Sequence, residues 1–201
     1  MKRKIAALAV IVIALSLAAY GTVAYFTATG TAHNVLTMGN IGIKLNDKTE
    51  VVENGETKRV EFTTEYPNGM PVMPATEASK IVSVENTGSA PAWVRVRIEK
   101  TVEPEDALKV GLLDTKYVEL NYDTENWVDG RNGFWYYKEP LKPGATTPNL
   151  FDTVTFSKDM GNDYMNCKFN IIVSAQAVQS DNNGVGDEQS VLDVAGWPES
   201  N

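Results

Sequence analysis

The chain has 201 residues, with 26 acidic against 18 basic side chains and a net charge of −8. This length suits one domain with a proper core, and an acidic surface repels phosphate backbones, which disfavours nucleic acid as a partner. Cys167 is the only cysteine, so an internal disulfide is excluded. We interpret Cys167 as a small buried hydrophobe of a strand, with an intermolecular disulfide as the alternative.

The first 24 residues have the pattern of a cleaved export signal. Met1–Lys4 supplies three basic side chains, and Ile5–Ala19 is almost wholly apolar over about fifteen residues, short of the roughly 20 that span a bilayer. Thr22 and Ala24 fit the small-residue positions of a signal-peptidase site. We therefore predict cleavage after Ala24, with cleavage after Tyr25 as a second choice. An uncleaved membrane anchor is the other interpretation.

The junction that follows resembles that of a known family. The residues GTVAYFT and then GTAHNVLTMGNIGIKL lie within Gly21–Leu45. They are similar to the signal peptides and mature N-termini of the TasA and CalY (camelysin) family of Gram-positive bacteria, whose signals are of the SipW-dependent type. Looser matches continue in four short motifs: Asn86–Gly88, Ala92–Val96, Pro140–Gly144 and Ala175–Gln179. The resemblance implies a secreted β-sandwich that builds extracellular fibres or stays in the matrix.

Three parts follow from these observations. We predict a signal peptide over 1–24, a flexible mature N-terminal segment over 25–36 and a β-sandwich domain over 37–201. The protein is then expected outside the cell, in the matrix or at the cell surface, with membrane contact only through the uncleaved signal. The expected partners are the protein itself or a related matrix protein, and a signal peptidase during export.

Period-two patterns predict strands through the first half of the domain. Apolar side chains alternate imperfectly from Asn34 to Leu45. Glu53–Glu56 is a turn signal between two short strands, which predicts a hairpin. The proline-rich run Tyr66–Pro74 must be a connection, because proline cannot donate to a strand ladder. Strands are then predicted at Ser79–Glu85 and Trp93–Lys100.

The Trp93–Lys100 strand alternates strictly, which indicates one buried and one solvated face of an antiparallel sheet. The predicted buried face holds Val94, Val96 and Ile98. The predicted solvated face holds Trp93, Arg95, Arg97 and Glu99. We interpret Arg95 and Arg97 as charges that blunt a sheet edge.

The second half reads as further strands with little helix. Predicted strands are Tyr117–Tyr122, Asn126–Val128, Phe134–Lys138, Leu150–Phe156 and Met165–Gln179; in the last, one face holds Cys167, Phe169, Ile171, Val173, Ala175 and Ala177. A single helical turn within Glu103–Leu113 and a short amphipathic helix within Asp187–Trp197 are also expected. These elements predict an all-β fold, a two-sheet sandwich of jelly-roll type with one or two short helices.

Groups that carry catalysis are scarce in the sequence. His33 is the only histidine, whereas a zinc site usually needs several His or Cys ligands, so the metallopeptidase activity associated with camelysin is not expected. Serine-nucleophile and phosphate-loop motifs are absent as well. The acidic run around Asp181–Gly184 is interpreted as a solvated turn rather than a calcium loop. We predict no enzyme activity, no cofactor and no metal.

Two functions remain. The first is a structural matrix protein whose subunits join when the segment freed by cleavage adds to an open sheet edge of another copy; its apolar points are Tyr25, Phe26, Ala28, Val35 and Leu36. The alternative is a monomeric module that binds a glycan or a protein through aromatic side chains, with Trp127, Trp135 and Tyr137 as the candidate surface. Period two requires about half of the aromatic run Phe134–Tyr137 to face the core.

Overall fold

The computed structural model describes residues 41–62, 74–104, 107–164, 167–181, 183 and 190–198. The predicted signal, cleavage residues Ala24 and Tyr25, His33 and the segment 25–36 lie outside these ranges, as does most of the proline-rich connection. Nine strands are defined within them: β1 (Ile43–Glu53), β2 (Glu56–Glu61), β3 (Thr76–Asn86), β4 (Ala92–Glu103), β5 (Val118–Leu120), β6 (Trp127–Asp129), β7 (Phe134–Tyr137), β8 (Phe151–Phe156) and β9 (Lys168–Gln179).

The strands form two antiparallel sheets that pack face to face. One sheet has five strands in the order β2-β1-β3-β8-β5, and the other has four in the order β6-β7-β4-β9. The chain changes sheet after β3, β4, β5, β7 and β8. The predicted all-β sandwich of jelly-roll type is thereby confirmed.

Helical structure is limited to short turns, and the single turn expected within Glu103–Leu113 is observed at Ala107–Lys109. The described residues contain four 3₁₀ helices of three residues each, at Ala107–Lys109, Thr115–Tyr117, Asn162–Tyr164 and Val191–Asp193. In residues 190–197, the described part of the helix expected at Asp187–Trp197, one turn is observed, capped by Ser190, whose side chain accepts a hydrogen bond from the Leu192 amide. The turn ends at Val194, whose backbone is not helical. The chain then continues across the four-stranded sheet.

The predicted hairpin is confirmed as the β1–β2 ribbon. Glu53 pairs with Glu56, so the loop consists of Asn54 and Gly55 alone. Their φ angles are 55° and 84°, and two successive positive φ values define the tight turn that matches the right-handed twist of the strands. Asn and Gly are the residues that adopt this conformation at least strain.

The main core lies between the sheets and is built mainly from apolar positions of β3, β4, β8 and β9. We call it the inner cluster; its central members include Val82 and Val84 of β3, Val94 and Val96 of β4, Phe151, Val154 and Phe156 of β8, and Phe169, Ile171 and Val173 of β9. The predicted inward faces of β4 and β9 are therefore confirmed. The prediction of Cys167 as a buried residue of this strand was wrong, because Cys167 precedes β9 and stays half-buried against the cluster.

A second hydrophobic cluster lies on the other face of the four-stranded sheet, and we call it the outer cluster. It consists of Trp93, Phe134, Tyr136, Val178, Val191 and Val194, with Val128 and Trp197 packed against it. Residues 190–198 cross this face and cover it. Trp93 is 4% exposed and Arg95 8%, so the prediction of a solvated face was wrong at both positions.

The edge-blunting role predicted for Arg95 and Arg97 was also wrong. Strand β4 lies between β7 and β9, so neither arginine is on a sheet edge. Arg97 is half-exposed and pairs with Glu99 at 2.8 Å. Arg95 is instead a buried cation, and its surroundings are described below.

Candidate functional site

Four strands lie at the edges of the two sheets, namely β2 and β5 in one and β6 and β9 in the other. Strands β5 and β6 have three residues each, and β2 has six. Strand β9 has 12 residues, all paired with β4 from Ala92 opposite Gln179 to Glu103 opposite Lys168. No other strand of the described ranges pairs with β9. Among the described strands it is the longest one at the end of a sheet.

The edge strand β9 differs in charge from β2, an edge strand of the opposite sheet. Four of the six residues of β2 are charged, and Lys58 and Arg59 pair with Glu53 and Glu50 at 3.2 and 3.0 Å. Such charges hinder pairing with a further strand. Strand β9 reads KFNIIVSAQAVQ and carries one charge, at Lys168. A long, nearly uncharged edge is the kind of strand that accepts an added strand.

The side chains of β9 are already held in place on both faces, so its edge has a defined shape. Phe169, Ile171 and Val173 are packed into the inner cluster. On the opposite face, the Asn170 amide donates to Glu103 at 2.9 Å, and Gln176 accepts from Arg95 at 2.8 Å. An incoming strand would meet a preformed ladder rather than a loose segment, which lowers the entropy lost on pairing.

The aromatic strand β7 divides its side chains between the two clusters. Phe134 and Tyr136 belong to the outer cluster, whereas Trp135 and Tyr137 are half-buried against the inner one. Gly130 makes this packing possible, because a Cβ at that position would lie 2.4 Å from the Tyr136 ring. The predicted division of the aromatic run is therefore confirmed, although both halves contact their own chain.

The candidate partner surface loses one of its three residues. Trp127 is 1% exposed, and its indole N–H donates to the Pro148 carbonyl at 3.3 Å, so we correct its placement from surface to core. Trp135 stacks on Tyr122, with ring centroids 4.2 Å apart and planes at 17°. Tyr137 lies against Trp127 at 5.4 Å. Both rings already use part of their area for packing within the chain.

Burial also affects the acidity of the phenols beside this surface. Desolvation is the largest cause that raises the pKa of Tyr122 to about 12, with the Asp129 charge adding to it. Burial likewise raises the pKa of Tyr137. Both phenols are therefore neutral hydrogen-bond donors at neutral pH and supply no catalytic base.

Arg95 is the most enclosed charge on the outer face of the four-stranded sheet. Its guanidinium donates to Gln176 Oε1 at 2.8 Å, to the Tyr136 hydroxyl at 3.3 Å and to the Pro198 carbonyl at 3.2 Å. It also lies 3.9 Å from the Phe134 ring centroid and 4.6 Å from that of Trp197. Hydrogen bonds and aromatic faces together stabilise a buried arginine, so this group serves packing in the described conformation.

The described residues offer little for catalysis. They contain no group of three or more His, Cys, Asp or Glu side chains arranged to hold a metal ion. Burial raises the pKa of the Cys167 thiol, which reduces its thiolate fraction and its nucleophilicity at neutral pH. None of the helices in the residues described above is long and apolar enough to cross a membrane.

Comparison with known proteins assigns no relative. No protein-family model, curated protein or solved structure matches the chain. The resemblance of the N-terminal junction to the TasA and CalY family therefore stays a prediction.

Proposed function

We propose that the chain is a secreted structural protein of the extracellular matrix, whose subunits join when residues 25–36 of one copy add as a strand beside β9 of another. The observation that carries the proposal is the long, nearly uncharged edge of β9. Export is supported by the basic and apolar pattern of the first 24 residues, and by the resemblance of Gly21–Leu45 to the TasA and CalY family.

The donor and acceptor are matched in length and polarity. The segment 25–36 has 12 residues, as β9 does. Neither carries an acidic side chain, and His33 and Lys168 are their only titratable cationic side chains. Backbone hydrogen bonds would supply affinity, while alternate apolar side chains of the segment would set the register. Before cleavage the signal occupies the end of this segment, which would confine assembly to the outside of the cell.

The alternative of a monomeric glycan- or protein-binding module has weaker support. Trp127 is buried, and Trp135 and Tyr137 are half-buried by packing within the chain. Binding platforms for sugars need an exposed aromatic face. The matrix protein is therefore the function we favour, and no enzyme activity is proposed.

The test uses the chain from Tyr25 onward, with filament yield measured by electron microscopy and folding by circular dichroism. Deleting residues 25–36 should abolish filaments and leave the sandwich folded, because the main strands begin at Ile43. Ile172→Lys should also abolish them, because it places a charge on the acceptor edge. The new cation would lie opposite Glu99, a favourable cross-strand pair within the monomer.

The matched control is Thr57→Lys on β2, an edge that already carries charges, and this variant should assemble like the parent. Filaments formed equally well by the deletion variant would exclude residues 25–36 as donor. Normal assembly of Ile172→Lys would exclude β9 as acceptor. A parent protein that stays monomeric at all concentrations would remove the structural proposal and favour the binding module.

A further inference from the structure

Lys80 and Asp47 form a buried pair between neighbouring strands of the five-stranded sheet. Lys80 on β3 is 1% exposed, and its Nζ lies 2.6 Å from Asp47 Oδ2 on β1. The register with β8 shifts between Ser79 and Val82, so Lys80 lies in a β-bulge, a feature that redirects side chains. Nζ also lies 4.1 Å from the centroid of the Phe62 ring.

The charges of this pair are poorly compensated. Asp47 Oδ1 is buried and has no hydrogen-bond partner in the described part of the chain. Burial, opposed by the attraction of Lys80 and reinforced by the charge of Glu61, raises the pKa of the Asp47 carboxyl. Burial, opposed by the attraction of Asp47, lowers the pKa of the Lys80 ammonium. Both shifts favour transfer of the proton from Nζ to the carboxylate, giving an amine beside a carboxylic acid.

We propose that these two side chains condense to an isopeptide bond, so that β1 and β3 become covalently joined. A bond forms between Nζ of Lys80 and Cγ of Asp47, and one Cγ–Oδ bond breaks. The departing hydroxyl takes a proton from the amine and leaves as water. Nothing is oxidised or reduced, and no co-reactant is needed.

Three features of the site favour this reaction. Nζ lies 2.6 Å from Oδ2, an atom bonded to Cγ. A turn of the carboxyl about Cβ–Cγ would present the face of Cγ to the nitrogen lone pair, and such proximity accelerates intramolecular reactions. Both side chains are largely shielded from bulk water, with Lys80 1% and Asp47 8% exposed, and this opposes hydrolysis of the product. The product amide is neutral and cannot ionise again, so it avoids the costly burial of an ammonium and a carboxylate.

The bond would close a loop between positions 33 apart in sequence. It is independent of the proposed assembly, because it needs only the folded sandwich and neither residues 25–36 nor the edge of β9. Failure of either proposal leaves the other standing.

The experiment is intact-mass spectrometry of the purified full chain, with its N-terminus read by sequencing. The parent should be lighter than its sequence by one water, about 18 Da. Proteolysis should yield one branched peptide that joins the fragments containing Asp47 and Lys80. Lys80→Arg should have the full sequence mass, since guanidinium does not condense in this way, with circular dichroism as the check on its fold.

Asp47→Asn gives a second, positive control. Its amide would lose ammonia instead of water and would yield the same final mass as the cross-linked parent. A folded parent that keeps its full sequence mass after prolonged incubation at neutral pH would overturn the proposal, whether or not the variants fold. A deficit of about 18 Da that persists in Lys80→Arg, or that maps to other peptides, would overturn it as well.

Discussion

The two faces of the four-stranded sheet are buried in different ways. Strands of the opposite sheet cover the inner face, and its cluster draws on residues from every long strand. Among the described residues, one short segment, 190–198, covers the outer face, and the aromatic rings of the outer cluster surround the guanidinium of Arg95. The inner cluster therefore belongs to the fold as a whole, whereas the outer cluster depends on whether the C-terminal segment stays in place.

The largest effect should come from the inner face. Ile171→Ala removes a side chain with 0% exposure and should lower the free energy of unfolding by about 2–5 kcal/mol, since the lost transfer energy and the cavity add. Urea denaturation measures this. The neighbouring Ile172→Ala, half-buried on the outer side of the same strand, should cost clearly less. Equal losses would mean that the two faces contribute equally.

A smaller effect is expected where the C-terminal segment meets the outer face. Trp197 packs edge-on against Tyr136 at 5.6 Å and over Arg95, so Trp197→Ala should cost about 1–3 kcal/mol. Near-ultraviolet circular dichroism should change while the far-ultraviolet spectrum is retained. Loss of both spectra would show that the outer cluster is required for the whole fold.

Trp197→Phe is the matched control for that change. The indole Nε1 of Trp197 is buried without a hydrogen-bond partner in the described residues, so removing it discards an unsatisfied donor. This variant should be close to the parent in stability.

The smallest effect is expected from a change at Arg95 that keeps its charge and alters the shape of its side chain. Arg95→Lys keeps the cation but loses the planar stack and the forked hydrogen bonds to Gln176 and Pro198, and should cost about 1–2 kcal/mol. Arg97→Lys is the control, because an exposed pair with Glu99 contributes at most about 1 kcal/mol. Thermal or urea unfolding would compare them, and equal losses would refute the packing role of Arg95.

The sequence predicted the inner face of the four-stranded sheet better than the outer face. Alternation in β4 and β9 correctly identified the strands and their inward residues, because period two reports directly which side chains share a face. It did not reveal that the second face is covered, since the covering residue Trp197 lies far along the chain from Arg95. Trp93 and Val178 on that face were the available signals.

The candidate site shows the same limit. The uncharged run of β9 was visible in the sequence, but its place at a sheet edge depends on strand order, which local patterns do not specify. Trp127 was assigned to a surface because aromatic side chains suit both cores and interfaces. The pairing of Lys80 with Asp47 gave no local signal, as it arises from the register between β1 and β3.

The β1–β2 hairpin leads to a difference in hydrogen-exchange rate within the molecule. Five of the six residues of β2 are exposed, and β1 is its only strand neighbour among the described strands. A ribbon with so little burial opens locally, without unfolding of the whole domain. The amide hydrogens of β2 should therefore exchange with solvent through local opening, whereas those of β4 should exchange only on global unfolding. A protease that cleaves after Lys58 or Arg59 would then nick the hairpin in a protein that is otherwise intact.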